Sequence, residues 1–165
     1  MGFFDKLFGK SEKINGNHIY APMEGQAVAL SEVPDPTFAE GMLGNGIAIQ
    51  PTDGKVCSPV DGTVDMMFAT GHAVSLVSET GIEILIHVGL ETVSLVGKPF
   101  KIAVKNGDKV KKGQLLMEAD LEAIKAAGLP TITPVVICNT DNYPKFKTNI
   151  GKAVTNADVV IELGK

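Results

Sequence analysis

Apolar and polar residues alternate at two different periods along this chain. Over the first ten positions Phe3, Phe4, Leu7 and Phe8 fall at helical spacing, with Lys6 and Lys10 among them and a single acid, Asp5. That pattern predicts a short basic amphipathic helix. The polar stretch Ser11 to Asn17 reads as a linker, so the expected organisation is an N-terminal amphipathic segment and linker over residues 1–17 and one domain over 18–165. From about His18 onward the apolar residues come in short runs bounded by Gly, Pro, Asn, Asp and Ser, which is the signature of strands joined by turns. Runs from His72 to Ser78 and from Ile82 to Ile86, separated by Ser78-Glu79-Thr80-Gly81, predict a hairpin. Thr133 to Asn139 and Asp158 to Glu162 read as late strands. Inside the domain one good helix is expected after Asp120, with Asp120 as N-cap and Gly128 just past the C-terminus. The fold class is therefore all-β, an antiparallel sandwich or barrel-like domain with a few short helices.

The domain contains an internal echo. Ala21-Pro22-Met23-Glu24-Gly25 recurs 37 residues on as Ser58-Pro59-Val60-Asp61-Gly62, each followed by an apolar run. A Pro at a strand entrance and an acid-Gly turn before a fresh strand, used twice, imply a duplicated supersecondary unit. The segment Asn106 to Gln114 is a further turn between short strands, and no lysine in it has the setting of a prosthetic-group attachment site.

Composition narrows the picture. A chain of 165 residues with 44% hydrophobic content can bury a substantial single core. Cys57 and Cys138 sit in apolar stretches without Cys or His neighbours at metal-ligand spacing, so both are expected to be small buried residues of a reducing compartment. No run approaches the roughly 18 apolar residues of a membrane span, and no secretory signal is present, which makes a cytoplasmic location the expectation. The net charge of −4 argues against nucleic-acid binding and suits a basic protein partner.

Two of the three histidines lie in the predicted hairpin. If Ser78 pairs with Gly81, paired positions sum to 159 and His72 faces His87 directly, with Cβ atoms about 4.5–5.5 Å apart. If Gly81 instead forms a bulge in the left-handed conformation, the count slips by one and the rings meet diagonally or not at all. The sequence leaves both registers open. A lone histidine on an apolar strand is more often a hydrogen-bonded core residue, but two in one hairpin are harder to dismiss as coincidence. An imidazole is neutral near physiological pH and offers a ring nitrogen as nucleophile or ligand. Thr70, two residues before His72, shares a strand face with it and can hydrogen-bond its ring.

Other chemistries fall away on inspection. The glycine-rich stretch Glu40 to Ile47 lacks the lysine of a phosphate-binding loop, and there is no His-Glu-x-x-His helix or serine nucleophile elbow.

The span Thr70-Gly71-His72-Ala73-Val74, the segment Ile86-His87-Val88-Gly89-Leu90-Glu91-Thr92-Val93, and the motifs Asp35-Pro36-Thr37-Phe38-Ala39-Glu40 and Thr133-Pro134-Val135-Val136 together resemble the glucose-type enzyme IIA of the phosphoenolpyruvate-dependent sugar phosphotransferase system. The resemblance covers almost the whole chain. It implies an antiparallel β-sandwich and a phosphoryl carrier acting between the histidine-containing phosphocarrier protein and the IIB domain of a sugar permease. Carried over to this sequence, it makes His87 the residue phosphorylated on Nε2, His72 the neighbour that hydrogen-bonds the phosphoryl group, and Thr70 the residue that orients His72. Phe38, Met42, Leu43, Phe68 and Leu85 take the positions of an apolar collar for partners, and Asp35 and Glu91 those of acids that receive basic partner side chains. Glu91 stands where the family resemblance calls for Asp, and Gly71 where it calls for Asn.

No cofactor is required on this reading; His72 and His87 would hold zinc only if a partner contributed a carboxylate, and a monomer is the default expectation. In some bacteria the family also regulates other enzymes, so regulatory targets are a further partner class. The N-terminal segment could touch anionic membrane at the inner face. Two rival classes are a zinc hydrolase on a duplicated β architecture, which would need a His-x-His ligand pair that this chain lacks, and a binding module whose histidines serve only in contacts.

Overall fold

Close backbone approach explains the echo in the sequence. In the computed structural model, which describes residues 17–95 and 99–164, Gly25 and Gly62 each open a strand beside a partner carbonyl. A Cβ on Gly25 would lie 2.2 Å from the Gln50 oxygen, and one on Gly62 would lie 2.3 Å from that of Val77. Only glycine fits either place.

The strands are β1 (His18–Tyr20), β2 (Gly25–Ala29), β3 (Asn45–Pro51), β4 (Lys55–Cys57), β5 (Gly62–Met67), β6 (Ala73–Ser78), β7 (Glu83–His87), β8 (Phe100–Ile102), β9 (Lys109–Val110), β10 (Leu115–Ala119), β11 (Thr133–Ile137), β12 (Lys145–Thr148), β13 (Lys152–Val154) and β14 (Val159–Gly164). Eight of them form one antiparallel sheet in the order β13-β2-β3-β11-β7-β6-β5-β9, and two three-stranded sheets, β1-β14-β12 and β4-β10-β8, complete the fold. The eight-stranded order reads as two copies of one four-strand unit meeting at the β11–β7 pair, with β2 and β5 in matching places. This is the duplication that the echo predicts.

The two faces of the large sheet bury different clusters. Ile47, Ile49, Val74, Leu76, Ile84, Ile86, Val135 and Ile137 belong to the main core, which the smaller sheets share through residues such as Leu116, Met117, Val160 and Ile161. Their sequence neighbours Ala48, Val136 and the half-buried Leu85 belong to a second, smaller cluster with Leu30, Val33, Phe38, Leu90 and Ile132. Period-two alternation along β3, β7 and β11 produces the split. β11 is buried at all five positions because both its faces are covered.

Two α-helices occur among the described residues. α2 (Leu121–Ala126) has the expected N-cap, with Asp120 accepting from the Ala123 N–H at 3.1 Å. Its C-terminus closes with the Gly128 N–H on the Lys125 carbonyl and the Leu129 N–H on that of Ile124, the paired bonds of a Schellman motif. α1 (Pro36–Ala39) is a second of the few short helices expected, one whose place the sequence reading did not name. Its signals are present, since Asp35 accepts from Thr37 N–H at 2.9 Å and Pro36 occupies the first turn, but four residues are too few to give a periodic pattern.

The cysteine reading needs correction. Cys57 is only partly buried and Cys138 is exposed, because Cys138 follows the last residue of β11 where the covered sheet ends. Both thiols are free, and partial burial raises the pKa of each. The amphipathic helix expected near Phe3 to Phe8 lies outside the described residues. Among those described, no helix is long and apolar enough to cross a membrane.

Candidate functional site

The hairpin that carries the histidines adopts the bulged register. The Ser78 N–H donates to the Ile82 carbonyl and the Gly81 N–H to that of Ser78, with Gly81 at φ +92°. A three-residue loop ending in a left-handed residue slips the ladder by one. Pairs therefore run from Ala73 with His87 to Val77 with Glu83, and His72 does not face His87 directly. The rings still meet, diagonally across the end of the ladder, with centroids 5.0 Å apart and planes at 78°. His72 lies just before β6, where the chain has bent at Gly71, and only its carbonyl continues the ladder by accepting the Val88 N–H at 2.7 Å.

Main-chain and side-chain partners hold each ring by its Nδ1. For His87 the partner is the Gly89 carbonyl at 2.8 Å. A carbonyl only accepts, so a neutral His87 keeps its proton on Nδ1 and leaves Nε2 as a free lone pair. For His72 the partner is the Thr70 hydroxyl, which can donate or accept. The expected Thr70 contact is therefore present, but it is made within the turn before β6, bent at Gly71, and not along a strand face as expected. Burial favours neutral rings in both cases. It lowers the pKa of His72 to about 4, with a smaller push from neighbouring His87. His87 is lowered by burial too, opposed in part by the Gly89 carbonyl and by the charge of Asp35. Both rings are then uncharged at neutral pH.

A phenylalanine packs on each ring. Phe38 from α1 lies with its centroid 5.1 Å from that of His87, and Phe68 lies 5.3 Å from that of His72. Phe38 is itself buried in the smaller cluster with Leu85 beside it, so this part of the anticipated collar is core as well as rim. Met42 at 70% and Leu43 at 41% exposure, on the turn after α1, are open apolar surface. Asp35 serves as the N-cap of α1 and is close enough to influence His87. Glu91 is exposed and stands at φ 59°, the one non-glycine residue with positive φ among those described. Gly71 is at φ +79°. Asn and Asp, which the family resemblance calls for at positions 71 and 91, are the side chains that best tolerate this region.

Some of the site is carried by residues that the sequence reading passed over. The Gly89 carbonyl acts through the backbone and leaves no side-chain signal; its neighbour Thr92 is 1% exposed and donates to the Val88 carbonyl. Val93, next in sequence, is 54% exposed. As for a metal, His72 and His87 supply two imidazoles, and no group of three His, Cys, Asp or Glu among the described residues could hold an ion. A tetrahedral zinc site needs four ligands, and the described residues alone do not complete one.

Comparison with known proteins agrees with the geometry. Residues 17–143 match the family model described as phosphoenolpyruvate-dependent sugar phosphotransferase system, EIIA 1. The chain is 47% identical over 158 residues to a Bacillus cereus protein named PTS system glucose-specific EIIA component, covering 96% of each. It is 52% identical over 129 residues to the PTS system glucose-specific EIICBA component of Streptococcus pneumoniae, aligning 78% of this chain with 18% of that longer one. Among solved structures it resembles glucose permease IIA from Mycoplasma capricolum, with a TM-score of 0.81 and 34% identity over 87% of this chain and 93% of that one.

Proposed function

Because the chain belongs to the EIIA 1 family of the phosphoenolpyruvate-dependent sugar phosphotransferase system, we propose that it carries a phosphoryl group on Nε2 of His87, received from the histidine-containing phosphocarrier protein and passed to the IIB domain of a glucose-type permease. The observation that carries this reading is the hydrogen bond from His87 Nδ1 to the Gly89 carbonyl. It leaves Nε2 unprotonated and directed away from its own backbone partner, which is the state an incoming phosphoryl group requires. In the transfer the N–P bond on the donor histidine breaks as the Nε2–P bond forms. The proton on Nδ1 stays in place, so the ring needs no base.

Phosphoryl transfer depends on alignment and on donors aimed at the equatorial oxygens. His72 supplies such a donor if Thr70 donates to its Nδ1, because its own proton then sits on Nε2. Phe38 and Phe68 pack on the two rings and keep water from the labile phosphohistidine. Met42, Leu43 and Val93 give partners an apolar landing surface, while Asp35 and Glu91 set orientation and association rate by charge. Glucose as the sugar is supported by the names of the relatives, and a IIB partner by the fused EIICBA proteins. The chemistry calls on no metal; zinc bound at this pair would take its remaining ligands from a partner.

The test measures the two half-reactions separately. With phosphoenolpyruvate, enzyme I and the phosphocarrier protein, wild type and His72→Gln should take up acid-labile, base-stable phosphate and His87→Gln should not. His72→Gln should then be slow in passing phosphate to IIB. Absence of label on wild type beside an active control protein would refute the carrier reading.

A further inference from the structure

The carrier reading depends on the Gly89 carbonyl standing where His87 Nδ1 can donate to it, and that carbonyl belongs to a turn of unusual conformation. Gly89 is at φ +73° and Glu91 at φ 59°. Glycine adopts a positive φ freely, but Glu91 does so at a cost that the surrounding contacts must offset. Thr92 touches this turn twice. Its hydroxyl donates to the Val88 carbonyl at 2.5 Å, and its methyl lies so close to Gly89 that a Cβ there would stand 2.7 Å from it. The other side is closed by Pro130, whose carbonyl accepts the Leu90 N–H at 3.2 Å and would be 2.8 Å from the same Cβ. Through its N–H, Val88 also bonds the His72 carbonyl. The peptide that Thr92 grips, between Val88 and Gly89, thus lies between the peptide that bonds the His72 backbone and the one whose carbonyl faces His87 Nδ1. Thr92 is itself buried.

We infer that Thr92 is a positioning residue for phosphoryl transfer: its hydroxyl locks the 88–91 turn so that the Gly89 carbonyl holds the His87 proton on Nδ1 and keeps Nε2 free. Deleting the hydroxyl releases the turn, and the ring then drifts toward the Nε2–H tautomer, which cannot accept a phosphoryl group.

The inference rests on the carrier reading for its consequence, but its primary readout does not. Ring 15N shifts of His87, recorded on unphosphorylated protein without partners, report the tautomer directly. Thr92→Val keeps the methyl and the volume and removes the hydroxyl; it should move His87 from Nδ1–H toward Nε2–H and lower kcat for phosphoryl acceptance about tenfold at unchanged KM for the phosphocarrier protein. Thr92→Ser restores the hydroxyl and should restore the tautomer. His87 shifts unchanged in Thr92→Val would overturn the inference while leaving wild-type acceptance, and so the carrier reading, intact. Should Thr92→Val fail to fold, wild type decides: a Thr92 hydroxyl proton in slow exchange supports the lock, and one in fast exchange refutes it.

Discussion

The connection between β2 and β3 and the connection between β5 and β6 hold matching places in the two halves of the large sheet, yet they are built differently. The first runs over fifteen residues, 30–44, and includes α1; the second takes five, 68–72. Because the halves are related across the antiparallel β11–β7 pair, the two connections leave level with Ile86, from Ala29 and from Met67, and run in opposite directions along the strands. The start of β3 pairs through Ile137 with Ile84, three residues or about 10 Å along β7 from His87. The short connection needs only to bend, and it leaves His72 at its own end of the sheet. The long one crosses the sheet face over Ala48, Leu85 and Val136 and brings Phe38 and Asp35 back to His87. Each histidine thus receives one phenylalanine, from connections that duplication made equivalent and length made different. A repeated scaffold becomes a one-sided site when only one of its loops grows.

The comparison breaks most readily at the two rings. Phe38 is 5% exposed within the smaller cluster, whereas Phe68 is partly open. Phe38→Ala should cost about 4 kcal/mol, by lost burial and the cavity left behind. Phe68→Ala should cost well under half of that. Urea denaturation of both variants checks it, and equal losses would mean that the long connection is no more packed than the short turn.

Acid titration sharpens the difference between the histidines. The folded pKa of His72 is about 4, below the ordinary histidine value of about 6.5. The unfolded chain therefore binds more protons in between. Stability is fully present above the unfolded value, declines as pH falls through that window and is lost by the folded value, a change on the order of 3 kcal/mol. Denaturation between pH 7 and 4 should show the slope, and His72→Gln should reduce it to what His87 and other groups contribute. A slope undiminished in His72→Gln would assign the effect to those other groups. Smallest in expected effect is the test of the duplication itself. Gly25→Ala and Gly62→Ala meet matching carbonyls and should each cost about 2 kcal/mol by overpacking. Unequal costs would weaken the equivalence of β2 and β5.

What could be read in advance follows from which interactions leave a trace in side chains. The all-β class, the duplication, the cap of α2 and the choice of His72 and His87 as the candidate pair all rest on residue types at fixed spacings. The hairpin register did not, since both readings of Ser78 to Gly81 fitted the same residues and only the φ of Gly81 decides between them. The exposure of Cys138 depends on where β11 loses its cover, a tertiary fact. The Gly89 carbonyl and the Thr92 grip on Val88 work through the backbone, where sequence is nearly silent.

The central claim is that one site holds two neutral histidines of opposite tautomer, an acceptor and a donor. Long-range 1H–15N spectra of the histidine rings in the unphosphorylated protein at neutral pH test it most directly. The account predicts His87 protonated on Nδ1 and His72 on Nε2. If both rings carry their proton on the same nitrogen, or if either is charged, the division between nucleophile and donor does not hold.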